Sequence, residues 1–150
     1  MSTQTNWQRL RALAQEKRDA CTQVLSEALA AARREEQKLQ MLRTYQTEYG
    51  QRMSADSHGG IAATRLQNFR GFLAHLERAV EQQEQAVHVA QQAVYRFQVA
   101  LVAARRTVDS YQVLVDRQLA AAGVVQRRDQ QKQQDEYASR ALPRFLTGAD

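Results

Sequence analysis

One proline, six glycines and a single cysteine are spread over 150 residues. Average chains carry about 7% glycine and 5% proline, so few tight turns can be built here and the elements must be few and long. The lone cysteine, Cys21, excludes an internal disulfide and points to a reducing compartment. No run approaches the ~20 apolar residues of a membrane span. The opening MSTQTNWQRLRALAQEK also lacks the apolar core of a signal peptide. A cytoplasmic protein is expected.

Catalytic constellations are missing as well. His58, His75 and His88 have no metal-ligand spacing with one another or with Cys21. Gly59-Gly60 is not followed by the Gly-Lys-Ser/Thr of a phosphate loop. Glu35 and Glu36 are neighbours on a helix and so point to different faces. No enzyme, cofactor or metal site is expected. The net charge of +5 divides as +3 for residues 1–53, −1 for 54–62, +2 for 63–125 and +1 for 126–150. No segment carries the dense basic stripe that neutralises many phosphates, so nucleic acid is not the expected partner.

What the chain has in quantity is alanine, glutamine, arginine, leucine and glutamate, side chains that lose little rotamer freedom in a helix. From Leu66, steps of three and four pass through Phe69, Leu73, Leu76, Val80, Gln83, Val87, Ala90, Val94, Phe97, Leu101, Ala104, Val108, Tyr111, Val115 and Gln118. Fourteen of these sixteen positions are apolar, against about seven expected from a 43% hydrophobic composition. A 3.5-residue period held this long is a coiled-coil seam. Phe72, Ala79, Ala86, Ala93, Ala100 and Leu114 add a flanking stripe whose alanines admit a close neighbour.

The first half carries a weaker seam. Trp7, Leu10, Ala14, Cys21, Val24, Ala28, Ala31, Leu42, Tyr45 and Tyr49 fit one register, with Lys17, Glu35 and Lys38 as exceptions and Leu25, Leu29 and Leu39 outside it. The pattern predicts an all-α fold of one domain over 1–150, with a helix from about 4 to 53, a turn at 54–62 and a helix from about 63 to 140. Gly59-Gly60 supplies positive φ at the turn, and Thr64 with Gln67 has capping-box spacing. A short connection folds the helices into an antiparallel coiled-coil hairpin. At 1.5 Å per residue the helices span roughly 75 and 110 Å, so the second must overhang the first. If residue i lies opposite about 117 − i, the overhang starts near 113, where the apolar seam fades into QRRDQQKQQDEYASR. Pro143 is expected to end the helix.

Four of the ten aromatics, Tyr45, Tyr49, Phe69 and Phe72, crowd around the turn. Tyr49, Phe69 and Leu76 suit the seam. Leu39, Met41, Leu42, Tyr45, Tyr49 and Met53 nevertheless span more than one stripe of the first helix, while two helices share only one mutual face. Some of these side chains should therefore be exposed, as a docking surface for a protein is. Near the other end, Arg9, Arg11, Lys17 and Arg18 should face Arg96, Arg105, Arg106 and Arg117, a cationic collar suited to an acidic partner.

The segments MLRTYQTEY (41–49), GGIAATRLQNFRGFLAHLERAVEQQ (59–83), VLVDRQ (113–118) and DEYASRA (135–141) resemble the bacterial flagellar export protein FliJ, over about residues 7 to 141. The stalk proteins of non-flagellar type III secretion are more distant likenesses. The resemblance implies an antiparallel coiled coil similar to the central stalk of rotary ATPases. It also implies partners: the hexameric flagellar export ATPase, the cytoplasmic part of the membrane export-gate protein FlhA, and export chaperones that it escorts or recycles. A location in the cytoplasm, peripheral at the inner-membrane export apparatus, follows from the same likeness. The gate-binding patch implied for this chain is Leu42, Tyr45, Tyr49, Phe72, Leu76 and Ala79. It is flanked by Lys38 and Gln83, where the resemblance would have glutamine and histidine. Arg9, Arg11, Arg105 and Arg106 become candidate ATPase contacts. A nucleic-acid-binding helical arm and a purely structural homo-oligomeric coiled coil are the competing readings.

Overall fold

The computed structural model describes the backbone of residues 2–146 and the side chains of residues 6–141. Two helices account for it: α1, Ser2–Ser57, and α2, Ala63–Leu146. No strand occurs among the described residues, and the helices pack on one another as a hairpin. Close contacts group into two compact units, Lys17–Ala104 and Met1–Glu16 with Arg105–Asp150.

The turn is shorter than 54–62. Ser54–Ser57 forms the last turn of α1, held in part by the Ser57 hydroxyl donating to the Ser54 carbonyl at 2.8 Å. Serine and aspartate are turn formers because they bond to nearby backbone, and at a helix end the same bonds extend the helix. The break comes at glycine: the Gly59 amide closes a turn on the Asp56 carbonyl at 3.2 Å, and Gly60 has φ +78°. A side chain at 60 would be strained, which is why glycine sits there. The capping box is not formed. The Arg65 and Leu66 amides donate to the Ala62 carbonyl, so Thr64 already lies inside the first turn of α2. At the far end α2 runs through Pro143 to Leu146. The fixed φ of proline is compatible with helix, and only one further turn follows it.

Every position of the α2 seam from Leu66 to Gln118 is buried or half-buried. The α1 seam is corrected by one residue. One column, Trp7, Ala14, Cys21, Ala28, Glu35, Leu42 and Tyr49, is as expected; the other is Arg11, Arg18, Leu25, Ala32, Leu39, Gln46 and Met53. Leu39 is 9% exposed, while Leu10, Val24 and Tyr45 of the expected column are 37%, 38% and 57% exposed. The shift turns Lys17 and Lys38 outward and takes in Leu25 and Leu39. Its cost is Arg11, Arg18 and Gln46 at the seam, whose long stems can lie along apolar surface while the polar ends reach out.

In the Lys17–Ala104 unit, Glu35 meets Gln83 and Tyr49 meets Phe69, so residue i faces 118 − i. In the other unit Trp7 meets Tyr111 on the same rule, with ring centroids 6.2 Å apart. α1 therefore ends opposite residue 116, and α2 continues alone: Val124, Val125 and Tyr137 are 43%, 57% and 78% exposed. Truncating the paired seam should cost what a core deletion costs. Leu101, 5% exposed, changed to Ala should lose ~2–5 kcal/mol in urea unfolding. Val124→Ala should stay within about 0.5 kcal/mol of the parent. Equal losses would mean that the overhang is not solvent-facing.

Candidate functional site

With the seam columns written a and d, Leu39, Gln46 and Met53 are a on α1, and Leu42 and Tyr49 are d. On α2 Leu73 and Val80 are a, and Phe69, Leu76 and Gln83 are d. In an antiparallel pair, reversal of one helix brings like flanks together, e beside e and g beside g. The e flank shows it: Arg43 pairs with Glu84 at 3.1 Å, and the Gln91 amide donates to the Glu36 carboxylate at 3.3 Å. The opposite flank is then the g edge, which carries Lys38 and Tyr45 from α1 and Phe72 and Ala79 from α2.

The eight residues of the expected patch thus fall into one strip: four d positions, Leu42, Tyr49, Leu76 and Gln83, and the four g positions beside them. The d residues form its floor. Leu76 is 8% exposed, and Leu42 packs against the buried cluster of Leu39, Val80 and Val87. The Tyr49 ring lies 5.2 Å from Phe69 and 4.4 Å from Phe72, tilted by 53° and 52°, a tilted geometry favourable for aromatic quadrupoles. Two aromatics stand out of the strip, Tyr45 at 57% exposure and Phe72 at 45%. Met41, which belongs to no seam column, is also exposed and borders a shallow hollow beside Tyr45 with Thr44 and Glu48. Met41 is among the surplus apolar residues of the sequence but not in the patch that the resemblance implies; its spacing of four from Tyr45 was the available signal.

Polar chemistry closes the strip at its far end. The Gln83 amide donates to the Glu35 carbonyl at 2.9 Å and to the Glu35 carboxylate, which also accepts from Lys38 at 3.4 Å. The Gln83 hydrogen bond, helped by Lys38 and Arg34 and opposed by partial burial, holds the Glu35 carboxyl below the usual carboxylate range. A depressed folded-state pKa stabilises the fold above the ordinary glutamate value and loses that contribution as pH falls through the lowered one.

The collar is less uniform. Arg9, Arg105 and Arg106 are exposed, whereas Arg11 is half-buried at an a position. One Arg11 Nη donates to the Gln112 side-chain oxygen Oε1 at 3.2 Å, and its Nε is buried without a partner. In the Lys17–Ala104 unit Arg18 pairs with Asp19 at 3.1 Å. No cluster of metal-ligating side chains occurs among the described residues. Acid unfolding checks the Glu35 layer: the parent's Tm should fall more steeply than that of Glu35→Gln between about pH 5 and pH 3, across the ordinary glutamate value. Parallel curves would show that the Glu35 carboxylate contributes nothing to the fold.

Comparison with known proteins bears on the whole chain. Residues 4–144 match the family described as Flagellar FliJ protein. A Flagellar FliJ protein of Salmonella typhi is 33% identical over 135 residues, covering 90% of this chain and 92% of its own. A Flagellar FliJ protein of Escherichia coli (strain K12) is 32% identical over 138 residues, with the same two coverages. A match over nearly the full length, through both helices and the turn, shows the family: the chain belongs to the flagellar FliJ proteins.

Proposed function

We propose that this hairpin is a non-enzymatic component of flagellar protein export that joins the export ATPase to the export gate. Its turn-proximal g flank docks on the cytoplasmic part of FlhA, and Arg9, Arg105 and Arg106 contact the ATPase hexamer. Export chaperones are further partners in this reading, which places the chain in the cytoplasm at the inner-membrane apparatus. Among the described residues no helix is long and apolar enough to cross a membrane. The observation that carries the gate assignment is the exposure of Tyr45 and Phe72 on the same flank, above the floor of Leu42, Tyr49 and Leu76. Aromatics left in water beside a packed seam contribute little to the fold and much to a partner. Supporting the stalk role, the two helices pack along a single seam and leave long faces exposed to partners.

Interface aromatics that act as hot spots typically contribute ~2 kcal/mol or more each. Tyr45→Ala/Phe72→Ala should therefore weaken binding to the FlhA cytoplasmic part tenfold or more. Phe72 touches Tyr49, so the double variant should lose ~1 kcal/mol of stability and stay helical. A variant that binds as well as the parent, or that unfolds as badly as Leu101→Ala, would remove the docking role. For the collar, Arg9→Glu/Arg105→Glu/Arg106→Glu should weaken ATPase binding, most at low salt, because exposed charges are screened over about 10 Å at 0.1 M. Arg11 is excluded from this test because its change would disturb the seam. Unchanged affinity at low salt would take the band out of the interface.

A further inference from the structure

Within the Lys17–Ala104 unit the two flanks of the hairpin differ in charge as well as in apolarity. The g edge and the c positions behind it carry six exposed cations, Lys17, Arg34, Lys38, Arg52, Arg65 and Arg96, against two acids, Glu27 and Glu48. The e edge and its b positions carry five exposed acids, Asp19, Glu36, Glu77, Glu81 and Glu84, against Arg33, Arg43 and Arg70. Beneath the cationic flank run the apolar d positions Leu42, Tyr49 and Leu76. From Ala79 of the aromatic patch the g edge continues as half-buried Ala86 and Ala93 on α2 and Ala31 on α1, with Val24 38% exposed.

We propose that this flank seats a third helix, an amphipathic segment of a partner protein whose apolar stripe is edged by glutamate and aspartate. Methyl-sized residues every seven positions let a helix axis approach to the near end of the usual 8–10 Å range. Ala79 to Ala93 spans about 21 Å at 1.5 Å per residue, which suits a partner helix of roughly fifteen to twenty residues. The charge excess selects the edges of that helix: acids would lie beside Arg34 and Arg96, with Lys38 shared with Glu35, and lysines would be repelled. It also disfavours a second copy of the chain placed face to face, because that would set one cationic flank against another. The groove extends the docking reading of Tyr45 and Phe72, and it is tested at residues which that reading does not use.

Two synthetic 21-residue helical peptides with the same leucine and alanine stripe, one edged with glutamate and one with lysine, are titrated against the full chain by fluorescence anisotropy. The glutamate-edged peptide should bind at least tenfold more tightly at 50 mM salt, with the advantage shrinking at 0.3 M as screening sets in. Ala86→Tyr fills the groove and should weaken that binding tenfold or more. Gln98→Tyr, on the opposite flank, should leave it unchanged, with both variants as helical as the parent by circular dichroism. Equal binding of the two peptides, or indifference to Ala86→Tyr, overturns the inference. So does a doubled solution mass that reverts to the single chain in Ala86→Tyr, since the groove would then hold a second copy. If Tyr45→Ala/Phe72→Ala still loses FlhA binding while the peptides fail, the groove is refuted and the aromatic docking site stands.

Discussion

A two-helix coiled coil has a weakness that its apolar seam cannot cure. Sliding one helix by seven residues leaves nearly every apolar position facing another apolar position. The Glu35–Gln83 layer breaks that degeneracy. In register, the Gln83 amide reaches both the carbonyl and the carboxylate of Glu35. Displaced by one heptad, Gln83 would face Ala28 or Leu42, and a part-buried amide and a carboxylate would lose their bonds. The Gln83 amide would then sit against apolar side chains without its partner, which disfavours the slipped register. Polar residues at seam positions specify register at some expense of stability, and here this layer acts together with the short connection between Ser57 and Ala63.

With register set, the flanks follow. Arg43 meets Glu84 and Glu36 meets Gln91 on one edge, while Tyr45, Phe72 and the alanines gather on the other. Exposed ion pairs such as Arg43–Glu84, with side chains 52% and 49% exposed, contribute little to stability. Their consequence lies in placement: polar groups that satisfy one another occupy the e edge, and the apolar surplus is left unpaired on the g edge. The two sides of the hairpin are therefore unlike in the surface they offer.

The thinness of the seam has a second consequence. Even the best-buried positions of the core, Val115 at 2% exposure and Leu101 at 5%, are flanked by exposed apolar residues: Val99 is 52% exposed, Val102 47% and Val113 48%. Two helices have too little mutual surface to cover an α2 that is apolar on several faces. Beyond residue 116 there is no α1 to cover any of them. A protein built this way keeps its fold with one stripe and leaves the remaining apolar side chains exposed.

The α2 seam could be read from sequence because sixteen positions at a strict spacing of three and four admit one register, and the structure buries or half-buries all of them. Hairpin topology was legible from the scarcity of glycine and proline away from residues 59–60, and the overhang from unequal helix lengths. α1 was ambiguous, because the column Trp7 to Tyr49 can be completed by the residues on either side of it. Leu10, Val24 and Tyr45 made one choice attractive; Leu25, Leu39 and Met53 made the other. Only packing against α2 decides, since burying Leu39 while freeing Lys38 depends on which way the α1 face is turned. That choice put Tyr45 in water and Arg11 in the seam. The membership of the aromatic strip was present in the amino-acid order, whereas its division into floor and exposed edge, and the opposite charges of the two flanks, came from the rotation of one helix against the other.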